Sequence, residues 1–220
     1  MRLLKLPNAL LIAALVAQVL AYPLLDRVWG GRALLVVFEW LILVLALRAA
    51  RAKTHQSRIG YLFLLPAVAL HVSAALSTLP GLYPASLLAQ AAFHGFVVVS
   101  LLRYVFSDDL MTLDELLAAA SMYILLAFAF AYIYALIEFL QPGAFYVNPA
   151  NNPDGLVGWW ELLYFSFTCL TSVGFGEITP VADTARSVVM LQQMAGVLYV
   201  AILISRLTQM QALRRRSENK

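Results

Sequence analysis

The stretch that decides the fold of this chain is WWELLYFSFTCLTSVGFGE, residues 159–177. Its first part, residues 159–170, predicts a helix that enters the outer leaflet of a membrane, with aromatic side chains at the interface, and stops short of crossing it. The residues that follow then lie at membrane depth without regular structure. Such backbone is tolerated only where it is buried in protein or lines a wet cavity, because lipid cannot satisfy its amides and carbonyls.

The glycines of this stretch add a second expectation. Gly174 and Gly176 alternate with Val173 and Phe175, which permits a positive φ at every second residue and lets successive carbonyl groups point the same way. A row of aligned carbonyl oxygens is a cation site. The preceding helix reinforces it, because the C-terminal end of a helix carries a partial negative charge.

The composition of the whole chain requires a membrane as its solvent. Of 220 residues, 62% are hydrophobic and 12% are charged, against roughly 45–50% and 25% in a soluble domain, and the mean hydropathy is +0.82. We therefore exclude a soluble protein and an enzyme, since no nucleophilic, metal-ligand or phosphate-loop spacing is present. Cys169, the single cysteine, excludes a disulfide framework. The net charge of +3 indicates topology and not nucleic-acid binding.

Long apolar runs predict six spans, because a span takes about 20 residues. The runs are 9–25, 33–47, 59–78, 86–102, 116–140 and 188–204. The second run is the weakest, since it is short and contains Glu39, although Arg32 and Arg48 at its ends are long enough to snorkel. The expected fold is an all-α membrane protein of six transmembrane helices, with a re-entrant pore helix and a filter loop between the fifth and the sixth.

The positions of Lys and Arg predict the orientation, because short cytoplasmic loops are rich in both. With the N-terminus inside, only Arg27, Arg32 and Arg186 fall on the outer side, so both termini are expected to be cytoplasmic. An alternative is that the first run is a signal peptide cleaved after residues 19–21, which would leave five spans. The segment 141–158, rich in Pro, Gly and Asn, is predicted to be an extracellular loop.

The central residues of the opening stretch resemble the selectivity filter of tetrameric potassium channels, and are most similar to the ether-à-go-go-related branch. The residues that carry the resemblance are Thr171, Ser172, Val173, Gly174, Phe175 and Gly176. The resemblance covers roughly residues 116–208. It implies a homotetramer in which the carbonyls of Ser172, Val173, Gly174 and Phe175, with the Ser172 hydroxyl, replace the water shell of K⁺. The resemblance implies no cofactor besides the permeating ion. The expected partners of the chain are membrane lipids and three further copies of the same chain.

Three positions depart from the pattern of that family. Ser172 stands where Thr is usual and keeps the hydroxyl, and Glu177 replaces Asp at the outer mouth and keeps the negative charge. Phe175 stands where most similar members have Tyr, and the position expected to face it is Phe165, so the filter is expected to be held less rigidly. The alternative to a filter is a glycine-containing extracellular turn between two spans.

The last span offers gating candidates. Gly196 follows Gly176 at the offset where the resemblance implies a hinge glycine, and it is equally well explained as a small residue for close helix packing. Four residues further along this span recur at helical spacing. They either line an apolar cavity and form a gate, or they make ordinary packing contacts. They are Val197, Val200, Ile204 and Thr208.

The first four spans lack the arginines of a voltage sensor, because span 86–102 has none and Arg103 alone lies at its edge. Weak or absent voltage dependence is expected. Glu39, His71 and His94 share one depth in these spans, and such intramembrane groups are either a proton sensor or a structural network that docks the helices.

The sequence thus divides into a peripheral domain over 1–106, an interfacial linker helix over 107–115 and a pore domain over 116–220. We expect a potassium channel in a plasma membrane, prokaryotic given its minimal size. The alternatives are a weakly selective cation channel on the same scaffold and a non-conducting membrane subunit that regulates true channels.

Overall fold

Helices make up most of the structure. The computed structural model describes residues 7–25, 28, 31–50, 57–77, 79–107, 112–153 and 155–218. Within these residues the elements follow one another as α1 (Pro7–Leu25), α2 (Gly31–Ala50), α3 (Ser57–Leu76), α4 (Leu82–Val105), α5 (Leu113–Leu140), β1 (Phe145–Val147), α6 (Trp159–Leu170), β2 (Ile178–Pro180) and α7 (Asp183–Glu218).

The long helices coincide with the apolar runs of the sequence. Five helices in the described part of the chain, α1, α3, α4, α5 and α7, are long and apolar enough to cross a membrane. The predicted second span lies in α2, a helix of 20 residues that carries Glu39 and Arg48. The chain is therefore a mostly helical, multi-pass membrane protein, and the count of six spans stays a prediction.

The helix that opens the deciding stretch is too short to be a span. α6 has 12 residues, which is about 18 Å of helix against a hydrocarbon core of about 30 Å. Its N-terminal cap is Gly158, whose N–H donates to Glu161 Oε2 at 3.0 Å. It ends at Leu170, directly before the filter-like residues.

The start of α5 contains the last three residues of the predicted linker helix. Thr112 N–H donates to Glu115 Oε2 at 2.7 Å, and Glu115 N–H donates to Thr112 Oγ1 at 3.3 Å, which is a capping box. Residues 113–115 are therefore the first turn of the fifth helix and not part of a separate helix. Ser107 lies in a bend after α4, and residues 108–111 lie outside the described residues.

The chain divides into two compact units, and the division into peripheral and pore domains stays a prediction. One comprises Met1–Ser73 and Ala92–Leu126. Its core contains fully buried aliphatic and aromatic side chains. A buried carboxylate connects three of its helices through hydrogen bonds. Asp114 Oδ2 accepts from Asn8 Nδ2 at 2.7 Å and from Tyr104 Oη at 2.8 Å, which joins the start of α5 to α1 and α4.

The other unit comprises Ala74–Ala91 and Ala127–Lys220. Aromatic rings form the centre of this unit. The ring centroids of Tyr134, Phe145 and Phe165 lie 5.3 to 5.5 Å apart, and the rings are tilted or edge to face. Aromatic pairs prefer this geometry. This unit contains the whole of α6 and the residues that follow it.

A short antiparallel strand pair joins the loop after α5 to the residues after the filter. Phe145 pairs with Pro180, Tyr146 with Thr179 and Val147 with Ile178. The sequence predicted only a loop over 141–158. The turn into β1 is held by Glu138, whose carboxylate accepts the N–H of Gly143 at 2.7 Å and of Phe145 at 3.0 Å.

Candidate functional site

The loop after α6 is anchored to the end of that helix through its first amides. Thr171 Oγ1 donates to the Phe167 carbonyl at 2.7 Å. The N–H groups of Val173 and Gly174 both donate to the Thr168 carbonyl, at 3.0 and 3.2 Å. These bonds satisfy backbone groups that a helix C-terminus otherwise leaves unpaired. In the part of the chain that the structure describes, no backbone N–H donates to a carbonyl of residues 171–176.

The backbone of the loop alternates in handedness. φ is +59° at Ser172, +54° at Gly174 and +91° at Gly176. The sequence predicted this alternation at the two glycines, and the structure extends it to Ser172, which in the described residues is the one non-glycine with positive φ. Residues 171–176 are all exposed, Val173 at 53% and Phe175 at 70%, so the loop presents an open backbone surface.

The outer end of the loop is clamped on both sides. The Glu177 carbonyl accepts the N–H of Asn148 at 2.8 Å, which continues the β1–β2 ladder to the last residue of the stretch. Tyr164 Oη donates to Glu177 Oε1. This hydrogen bond raises the pKa of the Tyr164 phenol to about 12, with burial and the charge of Glu177 adding to the shift. The Glu177 carboxylate is thus held by α6, a contact that the sequence did not predict.

Phe165 belongs to the buried aromatic centre of the second compact unit. It is 4% exposed and packs against Tyr134 and Phe145, with ring centroids at 5.4 and 5.5 Å. Its role in the described contacts is to fasten α6 to α5 and β1.

A buried polar network connects α6 to the two helices that pack against it, and the sequence did not predict it. Tyr134 Oη donates to Gln192 Oε1. Gln192 Nε2 donates to the carbonyl and to Oγ of Ser166, at 3.1 and 2.6 Å, and Ser166 Oγ donates to the Ala127 carbonyl at 2.7 Å. The sequence signal was the polar Gln192 inside the apolar run 188–204. The network connects α5, α6 and α7.

Gly196 lies where α7 meets the end of α6. A Cβ at this position would come within 2.3 Å of the Leu170 carbonyl oxygen and 3.0 Å of Leu170 Cδ1. Only a residue without Cβ allows this approach. The structure therefore supports the close-packing explanation of Gly196, and the hinge stays a prediction.

Much of the surface of α7 is exposed and apolar. Of the predicted cavity-lining residues, Val197 is 56%, Val200 41% and Ile204 58% exposed, and Thr208 Oγ1 donates to the Ile204 carbonyl at 3.0 Å. Met190 and Met194 are equally exposed higher on the helix. A membrane helix with such a surface contacts lipid, a cavity or further copies of the chain.

Residues 119–212 match the family described as an ion channel. The match begins in α5, contains α6, the filter-like loop and β2, and extends into α7. No curated protein and no solved structure matches the chain. The match supports an ion channel of the multi-pass membrane type, and a channel rather than an enzyme.

The ionisable residues of the peripheral spans lie outside the matched region, in the first compact unit. The structure brings two of them together: His71 Nε2 lies 3.8 Å from Glu39 Oε2, with both side chains mostly buried. His94 is 1% exposed, and its ring meets that of Phe93 edge to face at 5.9 Å. Among the described residues no group of three or more His, Cys, Asp or Glu side chains could hold a metal ion.

Proposed function

We propose that this protein is a potassium-selective channel that conducts K⁺ passively through a homotetrameric pore. The observation that carries the proposal is the alternation of positive φ at Ser172, Gly174 and Gly176, at the end of a helix too short to cross the membrane. The carbonyls of residues 172–175 and the Ser172 hydroxyl are the K⁺ ligands in this proposal. Glu177 at the outer mouth concentrates cations.

Four copies are needed because one loop offers carbonyls from a single side. A K⁺ filter consists of rings of carbonyl oxygens that replace the hydration shell of the ion. The exposed apolar side chains of α7 and the exposed loop residues Val173 and Phe175 are the surfaces that such an assembly would cover or line. Thr171 and Gly176 complete the filter at its two ends.

Opening is expected to depend weakly or not at all on voltage. Arg103 is the basic residue in the last turn of α4, and no other Lys or Arg lies in that helix. Moving a single charge through the field supplies only about 2.3 kcal/mol per 100 mV. We propose a prokaryotic plasma membrane as the location of the channel. The Lys and Arg distribution favours both termini in the cytoplasm.

Ion flux from liposomes with a K⁺ gradient tests the proposal. K⁺ flux without Na⁺ flux is the expected result. Flux of both ions would favour a weakly selective cation channel, and no flux would favour a non-conducting regulatory subunit.

The filter assignment is tested by Gly174→Asp against a matched control. Gly155 also has positive φ, +66°, and a Cβ added at either glycine would meet no atom within 4 Å, so the two substitutions impose the same local strain. Gly174→Asp should abolish K⁺ flux or selectivity, because a carboxylate enters the ion path. Gly155→Asp, in the outer loop, should leave both intact. Unchanged flux in Gly174→Asp would refute the filter assignment.

A further inference from the structure

We propose that Gln192 is a positioning residue that sets the preference of this pore for K⁺ over Na⁺. The inference rests on the proposed function, since it concerns the selectivity of the same filter. Gln192 lies on α7 and does not belong to the filter. It acts through the orientation of α6, whose last residues hold the filter loop.

The hydrogen bonds of Gln192 fix α6 in rotation as well as in position. The residue is fully buried. Its Oε1 accepts from Tyr134, and its Nε2 donates to both the carbonyl and the hydroxyl of Ser166. Because hydrogen bonds are directional and a buried unpaired amide is costly, α6 cannot turn about its axis without losing partners. An apolar contact of the same size would permit that rotation.

Two contacts in matching register extend this control toward the filter. Gln192 meets Ser166, and Gly196, four residues later, meets Leu170, four residues after Ser166. Residues four apart lie on one face of a helix. One face of α7 therefore runs along one face of α6 up to its last residue, so the polar contact sets the rotation and the glycine contact sets the distance.

The next step leads from α6 into the filter itself. Thr168, between the two contacts, accepts the N–H groups of Val173 and Gly174 with its carbonyl. A rotation of α6 would move that carbonyl and with it the two amides. Their peptide planes carry the carbonyls of Ser172 and Val173, which are ion ligands in the proposed function. Selectivity that depends on the number and placement of carbonyls would respond to this movement.

Bi-ionic reversal potentials of the full-length protein in liposome-derived bilayers test the inference. Gln192→Leu removes the amide at similar volume. We expect K⁺ flux to persist and the K⁺/Na⁺ permeability ratio to fall about tenfold, which corresponds to about 1.4 kcal/mol of preference. Gln193→Leu is the matched control: it makes the same chemical change at the next position of α7, where the side chain is exposed, and should keep the wild-type ratio.

Gln192→Glu supplies a readout that a merely structural role would not move. A protonated carboxyl can accept from Tyr134 and donate to Ser166, whereas a carboxylate cannot donate. We expect this variant to be selective at acid pH and to lose selectivity as pH rises, in a range where the ratio of the wild type stays constant. This pH series also decides the matter if the leucine variant fails to assemble.

The possible results separate the inference from the proposed function. A K⁺-selective wild type with an unchanged ratio in Gln192→Leu, or with a ratio independent of pH in Gln192→Glu, would overturn the positioning role alone. A wild type without K⁺-selective flux would overturn both.

Discussion

Replacing Gly196 by alanine tests how tightly α7 packs on the end of α6. The added Cβ would lie 2.3 Å from the Leu170 carbonyl oxygen, whereas ordinary van der Waals contact begins at 3.4 Å. The obstacle is backbone, and that backbone leads directly into residues 171–176. The two helices must therefore separate by about an ångström, because neither a rotamer change nor a side-chain shift relieves the clash.

The expected loss of stability follows from two opposing terms. Overpacking of this kind costs about 1–3 kcal/mol, and the value here belongs to the upper half of that range because backbone must move. Alanine recovers up to about 1 kcal/mol through its higher helix propensity. A net loss of about 1–2 kcal/mol lowers the thermal midpoint of a chain of this size by roughly 2–8 °C.

Thermal unfolding of purified protein in detergent measures this loss. Gly95→Ala is the matched control, since Gly95 also lies inside a helix and a Cβ there meets no atom within 4 Å; its midpoint should stay the same or rise slightly. An unchanged midpoint in Gly196→Ala would refute the packing argument. If in addition the open probability changed, Gly196 would act as a hinge and not as a packing residue.

Two further predictions concern titratable groups. The pKa of the Tyr164 phenol is raised from 10.0 to about 12, so its hydrogen bond to Glu177 is fully present below about pH 10 and is lost as pH rises through about 12. A tyrosinate absorbance titration of the wild type minus that of Tyr164→Phe should show the ionisation of this phenol near pH 12. A difference near pH 10 would contradict the bond. If Glu39, His71 and His94 sense protons, single-channel openings should vary with pH in the wild type and not in the His71→Ala/His94→Ala variant, whereas identical curves would contradict the sensor.

The helices and the positive φ of the two loop glycines were accessible from sequence because composition and local chemistry determine them. The apolar runs bounded by charged residues lie in helices of the structure. The sequence also predicted the end of α6 at Leu170. The alternation at Gly174 and Gly176 was predictable, since glycine adopts positive φ freely. Ser172 was not, because its conformation is imposed by the glycines after it and the amides tied to Thr168, and serine has no such preference of its own.

Contacts between distant parts of the chain were the features that sequence could not supply. Tyr134, Ser166 and Gln192 are separated by tens of residues, and only helix packing shows that their polar groups meet. The β1–β2 pair likewise joins three-residue segments that are too short for a period-two pattern. By contrast, a common distance from the ends of their helices led the sequence analysis to group Glu39, His71 and His94, and in the structure His71 Nε2 lies 3.8 Å from Glu39 Oε2.

The serine at position 172 has a thermodynamic consequence. A non-glycine residue at φ +59° costs about 1–2 kcal/mol of folding free energy, and glycine would hold the same backbone without that strain. What glycine lacks is the side-chain hydroxyl of serine. The chain thus gives up stability at this position and retains one hydroxyl there, an exchange that the proposed function explains by giving that oxygen an ion to coordinate.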